Sequence, residues 1–92
     1  MASSALKYIA EFIGTFFFLI SILMSGGNAF IIGGVLTLVI LLGGSISGGM
    51  VNPAVAYAMY ARGALGFGDF VGYSIIQIAA AAFAVYAYQT LS

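Results

Sequence analysis

The fold of this chain is decided by a break in a long apolar segment, Ser47-Gly48-Gly49-Met50-Val51-Asn52-Pro53-Ala54-Val55. Small residues interrupt the apolar run there, and an Asn-Pro pair follows. Asparagine is a favoured helix N-cap, and proline is favoured at the first helical position because its missing N–H removes no intrahelical hydrogen bond. The pair therefore predicts a short helix that begins at residue 53.

The composition places this short helix in a membrane. The chain has 92 residues, of which 64% are hydrophobic, and its charged residues are Lys7, Glu11, Arg62 and Asp69. No charged side chain occurs from residue 12 to 61 or from residue 70 to the end. Since roughly 20 apolar residues suffice to cross a bilayer core, we expect a small integral membrane protein in contact with lipid.

The same composition excludes several classes of function. Without a basic patch, nucleic acid is not expected as a partner. The chain has no cysteine and no histidine, which excludes disulfides, thiol nucleophiles and the usual transition-metal sites. No pair of acids is spaced for acid–base chemistry. We therefore predict no enzymatic activity, no catalytic residue, no metal and no cofactor.

Three spans are predicted around the break, at about 6–25, 29–45 and 70–91. The turn signal Gly26-Gly27-Asn28 makes the first two spans antiparallel neighbours. A signal peptide is the alternative for the N-terminus, but the apolar stretch 8–24 is longer than a usual signal core, contains an acid and lacks a convincing cleavage site. We therefore expect a retained span.

The segment 46–61 does not fit a fourth span. Its helix reaches only to about Arg62, some ten residues, which is too short to cross. The glycine-rich loop 62–69 carries two charges and should reach water. We therefore predict a re-entrant loop and half-helix at 46–61. The predicted fold is an all-α membrane protein, a single domain 1–92 with three transmembrane helices and one re-entrant half-helix.

The orientation follows from two basic residues. In this topology Lys7 and Arg62 lie on the same side, and positive residues favour the cytoplasmic side. We expect a cytoplasmic N-terminus. Two residues are a weak bias, so insertion of some copies in the opposite orientation is compatible with the sequence.

The break itself predicts a path for solutes. Non-helical backbone at membrane depth is tolerated only where protein buries it or where it lines a water-filled cavity. Unpaired carbonyls at 47–51 would then face such a path, and Asn52 would cap the half-helix through its side-chain oxygen while its amide stays free to donate. The positive helix N-terminus would repel cations. For the tripeptide alone, the start of an interfacial helix is the simpler interpretation.

Residues 47–55 resemble the first asparagine-proline-alanine box of the aquaporin and aquaglyceroporin (major intrinsic protein) family. Residues 10–16, Ala-Glu-Phe-Ile-Gly-Thr-Phe, resemble its first-helix signature, and Gln77 lies where its third helix commonly carries glutamine. The chain resembles one N-terminal half of a member. Complete members resemble two halves fused in inverted orientation, with the two boxes meeting at the pore centre.

The resemblance implies roles for individual residues. Glu11 and Gln77 would support the re-entrant loop through hydrogen bonds. For Glu11 the alternative is a tolerated charge near a helix end that reaches the headgroups. An acid inside a span is costly unless several donors satisfy it. The pore residues implied are the box, Asn52, Pro53 and Ala54, and the loop before it, Gly48, Gly49, Met50 and Val51.

Departures from the family pattern bear on selectivity. Met50 stands where the family usually has histidine, and Val55 follows the box where no arginine is expected in a first half. If two copies pair antiparallel, each mouth would be lined by apolar positions, Ile32, Ile40, Gly49 and Val55. Such a filter should be more permissive to small neutral or apolar solutes than a strict water pore.

Two functions from different classes fit this sequence. The first is a channel subunit for passive permeation of water or small neutral solutes, glycerol-like molecules or gases included. Its pore would be completed by antiparallel homodimers, with up to four per assembly. The second is a non-conducting membrane scaffold, or a half that pairs with a separate partner. The chain starts with Met1 and ends in a polar stretch, as a complete small protein would, although one half of a longer chain is the alternative.

Overall fold

The computed structural model describes residues 3–91, which form four helices. They are α1 (Ser4–Met24), α2 (Ala29–Ser47), α3 (Pro53–Ala61) and α4 (Phe67–Leu91). No strand occurs in this part of the chain. The helices α1, α2 and α4 are long and apolar enough to cross a membrane, which confirms the predicted all-α class with three membrane-capable helices.

Three of the helices begin at a side-chain cap. The Ser3 hydroxyl accepts from the Leu6 amide, and the Asn28 side chain accepts from the first amides of α2. Asn52 is the N-cap of α3, and Pro53 is its first residue, as the sequence predicts. These caps satisfy amides that have no partner inside the helix.

Two helix boundaries differ from the predicted ones. The second span continues through Gly43 and Gly44 to Ser47 and ends at Gly48, whose φ of 96° only glycine adopts easily. Glycine weakens a helix without ending it, so α2 continues through its paired glycines. The fourth helix begins at Phe67, so Asp69 lies in its first turn and not in the preceding loop. An acid is favourable there because the helix N-terminus is positive.

The helix α1 lies between two neighbours. It packs against α2 on one side and α4 on the other, while α3 packs against α4. The buried residues of α4 form one stripe, Tyr73, Gln77, Ala80 and Ala84. Ser47 is the one buried residue of α2. Most of the α2 surface therefore faces outward, toward lipid or another chain.

An ionic contact joins the starts of α1 and α4. The Lys7 Nζ lies 3.0 Å from Asp69 Oδ2, and the Tyr8 hydroxyl donates to Asp69 Oδ1 at 2.8 Å. Lys7 is therefore at the same end of the bundle as the start of α4, which Arg62 closely precedes in sequence. Which membrane face this end occupies stays a prediction.

Candidate functional site

The loop between α2 and α3 is anchored on the Glu11 carboxylate. Its Oε2 accepts from Ser47 Oγ at 2.5 Å and from the Met50 amide at 3.1 Å. Its Oε1 accepts from the Val51 amide and from Gln77 Nε2, both at 2.8 Å. Glu11 is fully buried, so it does not reach the headgroups. Several donors on one buried carboxylate provide the compensation that burial of an acid requires.

Two further hydrogen bonds complete this network. Ser47 Oγ also accepts from the Gly49 amide at 3.2 Å, and the buried Tyr73 hydroxyl donates to the Ser47 carbonyl at 2.9 Å. Tyr73 thereby ties the end of α2 to α4. Sequence reasoning did not identify Tyr73. Its spacing from Gln77 was an available signal, because residues four apart share one helix face.

The loop backbone is strained at Val51. This residue has a φ of +46°, a rare conformation for a β-branched side chain. Such strain costs on the order of 1–3 kcal/mol and persists only where the surroundings enforce it. The hydrogen bond to Glu11 does so, and so does packing on Gly14. A Cβ at Gly14 would lie 2.9 Å from the Val51 side chain. Gly14 is therefore needed for the close approach of α1 to the loop.

The tip of the loop, residues 48–54, contains polar groups that have no such hydrogen-bond partners. No described residue donates a hydrogen bond to the carbonyl oxygens of Gly48, Gly49, Met50 or Val51. The Asn52 side-chain oxygen caps α3 by accepting from the Ala54 amide at 2.8 Å. Its amide nitrogen has no partner among residues 3–91. The three residues of the box, Asn52, Pro53 and Ala54, are exposed. The tip thus presents a free donor next to free acceptors.

The four predicted filter residues are only partly brought together within one chain. Gly49 is buried against α2, and a Cβ added to it would lie 3.2 Å from the Ile40 Cα. Ile32 is half-buried nearer the start of α2, and Val55 is 37% exposed in the first turn of α3. Their assembly into a ring requires a second chain and stays a prediction.

A cavity of about 240 Å³ lies beyond the tip of α3, between α1 and α4. Its lining includes two buried oxygens without a hydrogen-bond partner among the described residues, Thr15 Oγ1 and Gln77 Oε1. The rest of the lining is Phe18, Leu19, Val51, Asn52, Pro53, Ile78 and Ala81. Sequence reasoning did not single out Thr15. Residues 3–91 contain no cluster of acids that could hold a metal ion.

One curated protein is similar to this chain over most of the chain's length. It is the glycerol uptake facilitator protein-like 6 of Lactiplantibacillus plantarum, 38% identical over 80 residues. The alignment covers 78% of this chain and 37% of the relative. The chain therefore spans well under half of the relative's length. The relative's name is that of a facilitator and not of an enzyme, and it agrees with the resemblance to the major intrinsic protein family.

No family model matches the chain, and no solved structure matches it.

Proposed function

We propose that this chain is a subunit of a membrane channel for passive permeation of water or small neutral solutes, with a pore completed by antiparallel pairing of two copies. One observation carries the proposal: at the tip of the loop, residues 48–54, the exposed Asn52 has a free amide donor, and the carbonyls of residues 48–51 have no partner among the described residues. The facilitator name of the relative supports the same class of function.

The length of α3 is the argument for pairing. Its nine residues span about 14 Å, against about 32 Å for the 21 residues of α1. The tip therefore lies partway along the bundle. Polar backbone exposed to lipid costs several kcal/mol for each unsatisfied group. A second copy in the inverted orientation brings its own tip from the opposite side and covers the first one.

The chemistry of the tip indicates which solutes would pass. The Asn52 amide donates and the loop carbonyls accept, so a neutral molecule with hydroxyl groups finds both kinds of partner. The positive end of α3 disfavours cations at the same depth. The apolar filter positions, Ile32, Ile40, Gly49 and Val55, would favour small neutral solutes, glycerol-like molecules or gases, over strict selection for water.

Solute flux into vesicles tests the proposal. Purified chain is reconstituted into proteoliposomes, and shrinkage and reswelling in a glycerol gradient and a sucrose gradient are followed by light scattering. We expect glycerol and water fluxes above those of protein-free vesicles. Val55→Trp should abolish most of the added flux by filling the mouth. The matched control is Leu41→Trp, at a 72% exposed position of α2, which should conduct like the parent. Vesicles with folded protein and no added flux would instead support the scaffold function.

Orientation in the membrane is tested separately. Since the chain has no cysteine, one cysteine introduced in the turn at Gly27 reports which side that turn faces. An impermeant thiol reagent should label part of the population in intact cells, and the rest only after the cells are permeabilised. Labelling from one side alone would contradict antiparallel pairing of identical copies and favour a separate partner half.

A further inference from the structure

Four aromatic side chains at the end of α3 and the start of α4 form one cluster, which we call the aromatic cluster. The rings of Tyr60 and Phe70 are stacked with their centroids 5.3 Å apart, and the rings of Tyr57 and Phe67 lie 5.7 and 6.3 Å from that of Phe70. Tyr57 and Phe67 are 57% and 62% exposed. Two of the four rings are therefore available to a molecule outside the chain.

The polar contact between α1 and α4 sets the depth of the aromatic cluster. Phe70 directly follows Asp69, which lies 3.0 Å from Lys7 Nζ, and both charged side chains are partly exposed. An exposed ion pair at the end of membrane-capable helices belongs at the level of the headgroups, because charge in the hydrocarbon core is costly. Tyrosine is enriched at the same level, since its ring is amphipathic. The aromatic cluster therefore belongs at headgroup level.

Arg62 supplies an unpaired positive charge beside this cluster. It is exposed, it is the C-cap residue of α3 two positions after Tyr60, and its guanidinium has no ion pair or hydrogen bond among the described residues. The nearest acid in sequence, Asp69, is engaged instead by Lys7 and by the Tyr8 hydroxyl. The uncompensated exposed charge at this end of the described chain is therefore positive.

The opposite end of the bundle has exposed rings without such a charge. It contains the turn at residues 25–28, the start of α2 and the end of α4. Phe30 is 92% exposed there, but no charged side chain occurs from residue 12 to 61 or from residue 70 to 92. The two ends therefore differ in what they offer to a lipid headgroup.

We propose that Arg62 and the aromatic cluster bind the headgroup of an anionic phospholipid, with the guanidinium on the phosphate and the exposed rings against the glycerol backbone and the first methylenes. A planar guanidinium donates two parallel hydrogen bonds to one phosphate. The positive amine of a zwitterionic headgroup would be repelled by Arg62, which favours an anionic one. A soluble phosphate would leave the exposed rings uncovered, so the ligand is a lipid. The proposal does not depend on the channel or on pairing of two copies.

Quenching by brominated lipids measures this contact. The chain has no tryptophan, so a single tryptophan introduced as Phe67→Trp reports on the lipid beside the aromatic cluster. The protein is reconstituted into vesicles of equal parts phosphatidylglycerol and phosphatidylcholine, with bromine on the acyl chains of one lipid or of the other. We expect phosphatidylglycerol to be preferred about fivefold at this reporter, the difference that one basic side chain near anionic lipid supports.

Two substitutions of Arg62 separate a headgroup site from a general attraction of charge. Arg62→Gln removes the charge and breaks no described ion pair, so the protein should fold, and the preference at Phe67→Trp should fall to about one to one. Arg62→Lys keeps the charge without the planar fork, so about half of the excess should be lost. Circular dichroism of each variant checks that the helices are retained.

Phe30→Trp in the otherwise unchanged chain is the matched control. It places the same reporter at an exposed position of the opposite end, where we expect no preference between the two lipids.

Four results would overturn the proposal. They are equal quenching by both lipids at Phe67→Trp, a preference that survives Arg62→Gln, a preference in Arg62→Lys equal to that of the parent, and the same preference at Phe30→Trp. The third would assign the effect to charge alone, and the fourth to the whole protein. Since the measurement reports lipid contact and not solute flux, its outcome is independent of the proposed channel function.

Discussion

The two sides of the loop between α2 and α3 differ in how far one chain completes them. On the inner side, Glu11 takes hydrogen bonds from two side chains and two backbone amides, and Tyr73 pairs with the Ser47 carbonyl. At the tip, the carbonyls of residues 48–51 and the Asn52 amide have no partner among the described residues. The same short segment is thus anchored on one side and open on the other.

This difference distinguishes the hydrogen bonds that stabilise the fold from the polar groups that are available to a second chain or a solute. Buried polar groups without partners are costly in water-soluble proteins and more so in lipid. This chain satisfies the inner side of its loop and leaves polar groups at the tip without a partner, so we expect those groups to interact with a second chain or a solute. The inner side should therefore control stability, and the tip should control association and flux.

Glu11→Leu should have the largest effect on stability. The substitution leaves the Met50 and Val51 amides and the Ser47 and Gln77 side chains without their acceptor. We expect a loss of about 3–5 kcal/mol in the free energy of unfolding, the range for breaking a buried charged network from one side. Unfolding in detergent micelles by titration with sodium dodecyl sulfate, followed by circular dichroism, measures it.

The control for this substitution is Gln89→Leu, at an exposed position of α4, which should stay within about 0.5 kcal/mol of the parent. A Glu11→Leu protein that unfolds within about 0.5 kcal/mol of the parent, as surface variants do, would show that the inner side is not the anchor.

Tyr73→Phe should have the next largest effect. It removes the hydroxyl that donates to the Ser47 carbonyl and leaves that buried carbonyl unpaired. The expected loss is about 1–3 kcal/mol, measured by the same unfolding titration. Tyr86→Phe, at a 68% exposed side chain of the same helix, is the matched control. Equal losses at both positions would mean that the hydroxyl of Tyr73 contributes nothing specific.

Asn52→Ala probes the tip. The change removes the cap on the Ala54 amide, so the monomer should lose about 1 kcal/mol, the usual value for a lost N-cap. Asn52→Ser keeps a capping oxygen and should leave monomer stability nearly unchanged. Unfolding at high dilution in micelles, where chains are monomeric, compares the two variants. If the free energy of unfolding falls as much as in Glu11→Leu, the tip contributes to the chain's own stability as strongly as the inner side does.

Lys7→Met should have the smallest effect. The side chains of Lys7 and Asp69 are 26% and 31% exposed, and exposed ion pairs contribute about 0–1 kcal/mol. The difference from the parent should shrink in about 1 M salt, where screening is strong. Arg62→Met, which breaks no described ion pair, is the reference. A larger loss that persists in high salt would make the Lys7–Asp69 contact a structural anchor comparable to Glu11.

Much of the architecture follows from local rules. The apolar lengths predict three membrane-capable helices, and Asn52-Pro53 predicts the start of α3, because capping and proline geometry depend on neighbouring residues alone. The predicted boundaries near Ser47 and Phe67 were wrong. The helix α2 continues through its paired glycines to Ser47. The helix α4 begins at Phe67, before its acid Asp69. Glu11 and Gln77 were expected to support the loop through resemblance to a family. Glu11 accepts from Gln77 and from the Met50 and Val51 amides, and the supporting role itself stays a prediction.

By itself, the sequence determined the all-α class with three membrane-capable helices and the residue at which the short helix begins. Only the tertiary structure decided which polar atoms meet. In a helix that is apolar all round, hydrophobic periodicity does not show which face is buried. The stripe of Tyr73 and Gln77, the positive φ of Val51 and the two unpaired oxygens beside the tip exist because α1, α4 and the loop close on one another. Those contacts fix the backbone of the break at residues 47–55, and its role in a pore stays a prediction.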